Sequence, residues 1–249
     1  MAAANKNTIM VLTSGGAVDT KSWLDSVPAL IEAWYPGQSG GIAAADVLLG
    51  NVSPSGHLPI SYDRNWEDNP AHASYYPENG SPDVVYRDGI FVGYRGYDRD
   101  GKKPLFPFGF GLSYTKFEYS QLKIEAVGRD DRDLHYEVSF DVKNTGGRLG
   151  AEVAQLSVSE KHAQVSRPPK ELKAFARLDL QPGEARRAVL SLDARSFAYY
   201  DAAANAWRCD PGDFEILIGA SAEDLRLRGK ISLSKPIVIA SAPVRIQER

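Results

Sequence analysis

The stretch Gly37-Gln38-Ser39-Gly40-Gly41 fits G-x-S-x-G. In serine hydrolases that pattern is the sharp strand-to-helix turn that lifts a nucleophilic Oγ above a sheet. Such a serine needs an acid and then a histidine, in that chain order. Asp63, Asp83 and Asp88 follow Ser39 as candidate acids, with His135 and His162 as candidate bases. His135, however, sits in an alternating stretch where it is expected to face solvent, and His162 sits in a polar loop. Three fixed positions also carry little information in a chain with 22 glycines. The competing reading of Ser39 is a structural turn, in which glycines let a helix start close to a sheet.

Other chemistry is equally open to a plain reading. Ser14-Gly15-Gly16 follows an apolar run, yet it has neither G-x-G-x-x-G nor a Lys-Ser/Thr ending, so a nucleotide phosphate site is not expected. Glu78, Asp83, Asp88 and Asp98 could supply the two carboxyl groups that glycosidases place across a scissile bond. But Asn79-Gly80, Ser81-Pro82 and Asp88-Gly89 are ordinary turn pairs, and acidic residues in turns are usually solvated. Tyr75, Tyr76, Tyr86, Tyr94 and Tyr97 could stack on sugar rings or could be core. His57, His72, His135 and His162 are scattered without metal-ligand spacing, and Cys209 is the only cysteine. No metal, cofactor or internal disulfide is therefore expected.

These groups must be positioned by two halves with different periods. Thr8–Leu12 is a short continuous apolar run, expected to be a strand buried on both faces. Residues 29–34 fit strand or helix equally, and Pro36-Gly37 ends them either way. From Ser39 the reading is helical, with Ile42, Ala45 and Leu49 on one face, Leu48 beside them and Gly50 as the closing glycine. Pro54-Ser55-Gly56 turns the chain, and residues 57–62 read as another short strand. Beyond that the period becomes two. Leu134, Tyr136, Val138, Phe140 and Val142 alternate with polar residues, which makes a strand with one buried face. Asn144-Thr145-Gly146-Gly147 supplies a turn, and strands are expected at 152–159, 188–192, 214–218 and 225–227. Residues 98–117 have the Gly and Pro of a linker but also Phe106, Phe108, Phe110, Tyr114 and Phe117, so this connector is expected to be pinned by packing. The fold class is α/β followed by all-β, with the second half a β-sandwich.

Composition narrows the partners. A net charge of −3 leaves no basic footprint for nucleic acid, and no apolar run nears the ~20 residues of a membrane-spanning helix. The N-terminal residues lack the apolar core of a secretory signal, and the compartment stays open.

Several stretches together resemble glycoside hydrolase family 3, the β-glucosidase and β-xylosidase family. Residues 6–62, from "KNTIMVL" to "GHLPISY", are similar to the family's second domain. "VVYRDGIFVGYRGYDRDGKKPLFPFGFGLSYTKFEYS" is similar to the passage into its third domain. "VKNTGGRLGAEVAQLSVS", "RPPKELKAFARLDLQPGE" and "WRCDPGDFEILIGAS" are similar to its fibronectin type III-like domain. In the family the Pro36–Gly41 stretch is a structural turn and the Ser39 position often carries another residue, so the resemblance implies that Ser39 is no nucleophile.

The resemblance also implies what to expect of the activity. Family members carry an aspartate nucleophile on an N-terminal barrel and an acid/base glutamate upstream of the strand that here is 8–12. None of Glu32, Glu67, Glu78 or Asp88 matches a catalytic position, so no catalytic residue is expected in the chain. Residues 1–112 are expected to be the C-terminal part of the α/β sandwich domain, and 113–249 the fibronectin type III-like sandwich with linker and tail. The implied role is the C-terminal portion of a β-glucosidase-type enzyme. Its β-glucoside or oligosaccharide substrate would be met through a catalytic domain outside this sequence. No nucleic acid or membrane partner is expected, and self-association through exposed apolar surface of the truncated domain is. The residues also leave two alternatives open. One is a non-catalytic carbohydrate-binding or interaction module, for which Tyr199, Tyr200 and Trp207 are candidate aromatics. The other is a serine hydrolase using Ser39.

Overall fold

The computed structural model describes residues 2–78, 80–128 and 134–240. Asn79 of the turn pair and the tail from 241 onward lie outside them. In the first half, β1 (Ile9–Leu12) pairs in parallel with β2 (Ala29–Glu32), Ile9 opposite Ala29 and Leu12 opposite Glu32. The ambiguous stretch is thus a strand, because its backbone finds a parallel partner; Ala33 N extends the ladder to Leu12 O at 2.8 Å. The expectation that β1 is buried on both faces fails: Ile9 is exposed and Met10–Leu12 are only half-buried, since the strand has a single neighbour. Helix α1 (Gly40–Leu48) follows, and Gly50 closes it with φ of 75°, as read from the sequence. Its expected apolar face is uncovered; Ile42 and Leu49 are exposed, and Gly40 is the one buried residue of the helix.

Residues 57–62 do not form the expected strand. Only Tyr62 bridges to Phe106, while Leu58 exchanges backbone bonds with the 109–110 turn (Leu58 N to Phe110 O and Gly109 N to Leu58 O, both 2.8 Å). Pro59 and Pro107 have no N–H, so the ladder between the two segments cannot be continuous. The connector is pinned as expected. Phe106 packs edge-on to Tyr62 (6.0 Å between ring centres) and against Phe110 (5.1 Å), Phe108 packs on Tyr94 (5.2 Å), and Tyr114 donates to Val47 O at 2.8 Å. Tyr94 opens helix α2 (Tyr94–Asp100), which has no apolar stripe to mark it in the sequence because Gly96 and four charged residues fill most of it.

The second half is the expected sandwich. Its strands are β3 (Phe117–Ala126), β4 (His135–Asn144), β5 (Gly150–Glu160), β6 (Glu171–Leu180) and β7 (Ala185–Asp193). A short helix α3 (Ala194–Phe197) leads to β8 (Tyr199–Asp201) and β9 (Ala206–Cys209). Strands β10 (Gly212–Gly219), β11 (Leu225–Leu233) and β12 (Ile237–Ala240) complete it. One sheet has the order β11-β10-β5-β6, a second β3-β4-β7, and a small third β12-β9-β8. Val138, Phe140 and Val142 of β4 join one core with Leu156 of β5, Leu192 of β7, and Phe214, Ile216 and Ile218 of β10, all fully buried. Burying each such side chain stabilises by about 1.5–3 kcal/mol. The turn after β4 is organised by a buried amide. Asn144 Nδ2 donates to Arg148 O (2.7 Å) and Leu180 O (2.9 Å), while its Oδ1 accepts from Thr115 Oγ1 (2.5 Å) and Gly146 N (3.0 Å). A buried amide is tolerable only when its bonds are made in this way.

Candidate functional site at the carboxyl ends of β1 and β2

In open parallel sheets, ligands bind beyond the carboxyl ends of the strands. Here β1 runs out into Ser14-Gly15-Gly16, and β2 into Trp34-Tyr35-Pro36-Gly37. The two ends are tied by one carboxylate. Glu32 Oε2 accepts from Tyr62 Oη at 2.8 Å and Ser14 Oγ at 3.1 Å, and Glu32 Oε1 accepts from Trp34 N at 2.9 Å. Tyr62 is buried, and burial pushes its phenol pKa well up, with the Glu32 bond and charge adding to the effect, so the hydroxyl stays a donor. With three donors on it, Glu32 is an anchor rather than a free base. What it anchors is unusual: Trp34 has φ of 51°, a left-handed conformation that is an outlier for a bulky residue. The Trp34 ring stands edge-on to Tyr62 at 6.5 Å, so an aromatic series runs from Trp34 through Tyr62 and Phe106 to Phe110. Tyr35 is 81% exposed, and its hydroxyl end lies over Gly15, where a Cβ would come within 2.0 Å of Oη.

The other candidates are dispersed. Ser39 is exposed at the start of α1, its side chain caps nothing, and among the described residues no hydrogen bond joins it to a histidine or a carboxylate. Asp63 is taken up by Asn69 Nδ2 (2.9 and 3.0 Å) and by Tyr97 Oη. Asp83 is exposed, Asp88 half-buried, and Glu78 pairs with Arg87. Asp98 is bound by Lys170 at 2.5 Å. His135 starts β4 opposite Asp193 and is half-buried rather than solvent-facing, and His162 is exposed. His57 Nδ1 lies 2.6 Å from Gly109 O, and His72 packs against Trp66. Ser14 Oγ is spent on Gly16 O and Glu32, and the carboxylate there would repel a phosphate. Among the described residues no group of three or more His, Cys, Asp or Glu is placed to hold a metal, and no helix is long and apolar enough to cross a membrane.

Of the aromatics, Tyr94 and Tyr97 are structural, whereas Tyr75, Tyr76 and Tyr86 are exposed. The Arg195 guanidinium lies over the Trp207 ring at 4.0 Å and Tyr200 meets it edge-on at 5.4 Å, while Tyr200 itself is exposed. The Glu32 arrangement was not legible in sequence. Its donors come from Ser14, Trp34 and Tyr62, which no local spacing connects.

A parallel α/β unit, an aromatic connector and a β-sandwich thus follow one another along the chain. The profile of the glycosyl hydrolase family 3 C-terminal domain matches residues 1–114, and that of the fibronectin type III-like domain matches 152–222. The chain belongs to glycosyl hydrolase family 3 and corresponds to its C-terminal portion. It is 41% identical to thermostable beta-glucosidase B of Acetivibrio thermocellus, over 96% of this chain and 31% of the relative. It is 43% identical to a beta-glucosidase of Rhizobium radiobacter, over 95% of this chain and 29% of the relative. The fold is similar to beta-glucosidase 3B from Thermotoga neapolitana in complex with glucose, with a TM-score of 0.88 and 35% identity over 96% of this chain and 33% of that one. The chain thus spans about a third of the length of the relatives it matches.

Proposed function

We propose that these 249 residues are the scaffold third of an enzyme that hydrolyses β-linked glucosyl residues from non-reducing ends. In this reading the nucleophile and the acid/base are supplied by residues outside this sequence, and no residue of 1–249 is catalytic. Residues 1–112 are the α/β unit and 113–249 the sandwich unit with its tail. One observation carries the reading: likeness to proteins named as beta-glucosidases extends over nearly the whole chain, at more than 40% identity. The absence of a Ser39–His pairing among the described residues agrees with it. Exposed Ile9, Ile42, Leu49 and Val52 on the α/β unit form apolar surface through which the isolated chain associates with itself.

The test is a graft. This chain replaces the matching C-terminal third of the Thermotoga neapolitana enzyme, and the chimera is assayed on an aryl β-glucoside. The reading predicts turnover. A folded chimera that binds glucose but does not hydrolyse the glucoside counts against it.

A further inference from the structure

The geometry points to Tyr35 as a sugar-stacking residue, its ring taking the apolar face of a β-linked glucosyl unit, with Glu32 as the positioning residue that fixes it through Trp34. This inference rests on the proposed glucosidase reading and adds a substrate contact to it. Tyr35 exposes 81% of its surface at the carboxyl end of β2, where open parallel sheets take their ligands. Its mount is rigid. The residue before it holds a rare left-handed backbone, kept there by the bond from Trp34 N to Glu32 Oε1 and braced by Tyr62 and Ser14 on the other carboxylate oxygen. Backbone outliers of this kind persist only where surroundings over-determine them, and they cluster at ligand sites.

The neighbourhood has room for a ring. Nothing lies within 4 Å of where a side chain would begin at Gly16, next to the Gly15 that the Tyr35 hydroxyl overlies, or at Gly37, two residues beyond Tyr35, so the backbone of both loops is uncrowded there. A tyrosine offers a flat apolar face and a polar tip, and a pyranose offers an apolar C–H face rimmed by hydroxyls. The ring series Trp34–Tyr62–Phe106–Phe110 backs the site and resists its displacement. Tyr76 and Tyr86 are also exposed, but they stand in the 75–86 loop rather than at a strand end, and they serve as controls.

The experiment titrates the full chain with cellobiose, read by saturation-transfer NMR and calorimetry. Native chain should bind saturably. Tyr35→Ala should weaken binding by about tenfold, Tyr35→Phe by no more than about twofold, and Tyr76→Ala not at all. Glu32→Ala should weaken binding as Tyr35→Ala does. Glu32→Gln, which keeps an acceptor for Trp34 N, should restore it, a rescue that general loss of structure would not give. Tyr35 is on the surface, so its variants keep the native near-UV spectrum and melting temperature. Equal binding by native chain and Tyr35→Ala, or no saturable binding by native chain, overturns the assignment. An active chimera with Tyr35-independent binding would leave the proposed function standing and sink this inference. A folded, inactive chimera with Tyr35-dependent binding would do the reverse.

Discussion

Lys170 Nζ donates to both carboxylate oxygens of Asp98 at 2.5 Å, joining the approach to β6 of the sandwich to α2 of the α/β unit. The same junction carries Leu172 N to Tyr94 Oη at 2.9 Å and Arg95 facing Glu171 at 3.8 Å. Behind it, buried Arg167 bonds Glu160 (2.7 Å) and Glu171 (2.9 Å). Three side chains of α2 thus meet residues 170–172 at the start of β6, and these contacts tie the two halves together.

Lys170→Met should break this latch. Burial already pushes the Asp98 carboxyl above its usual range, against the opposing pull of Lys170. Without the lysine an unpaired, mostly buried charge remains, at a cost of about 3 kcal/mol near neutral pH. The sign follows from a folded-state pKa above the unfolded one: the variant is least affected in acid, where Asp98 is protonated, and loses stability as pH rises through the carboxylate range. Melting curves against pH should show this, with two transitions replacing one. The double variant Lys170→Met, Asp98→Leu should recover part of the loss.

The sandwich should fold without the α/β unit. Residues 115–249, expressed alone, should give a cooperative thermal transition. Phe140 is fully buried and lies parallel to Tyr119 at 6.1 Å. Phe140→Asp should abolish the transition, because it places a carboxylate among apolar groups. A gradual melt of the native segment would contradict an independent unit.

Cys209 is fully buried, and burial, with the nearby Glu160 charge, pushes its thiol up from 9.0 to about 12. The native protein should therefore resist thiol reagents that label it at once in denaturant. Between pH 9 and 12 the folded state holds a proton the unfolded state has lost, so Cys209 lowers stability by about 1.4 kcal/mol per pH unit there. Cys209→Ala should flatten that slope over its lower part.

The glycine turn separates into two requirements. Gly37 needs its φ of 69°, whereas Gly40 has no such need; a Cβ on Gly40 would fall 2.6 Å from Pro36 Cγ. Gly37→Val and Gly40→Val should each destabilise the α/β unit by about 1–3 kcal/mol. Ser39→Ala should leave both melting and any activity of the chimera nearly unchanged. A hundredfold loss of activity in a folded Ser39→Ala chimera would restore the serine as a nucleophile.

Alternation made the sandwich readable where it was unbroken. Residues 135–142 fall in β4, one residue short of the expected start at Leu134, and 152–159 and 214–218 lie inside β5 and β10. β3 escaped because its alternation slips. Phe117 and Tyr119 point inward, a register shift intervenes with Gln121 at φ of 55°, and Leu122 and Ile124 resume the inward set. β6 escaped because alanines carry its inner face at 174 and 176 while Phe175 points to solvent. The helix α1 and its closing Gly50 were legible from local chemistry. The site was not, because Glu32 gathers donors from three separate segments and the outlier at Trp34 has no composition signature.

In the proposed function this chain supplies scaffold and no catalytic carboxylate. A retaining glycosidase needs two carboxyl groups only ~5–5.5 Å apart across the bond it cleaves. The most direct measurement is aryl β-glucoside hydrolysis by the purified 249-residue chain, with oligomeric state followed by light scattering in the same sample. No turnover above buffer is expected. Turnover that survives repurification, and disappears when one carboxylate within 1–249 is replaced, would contradict it.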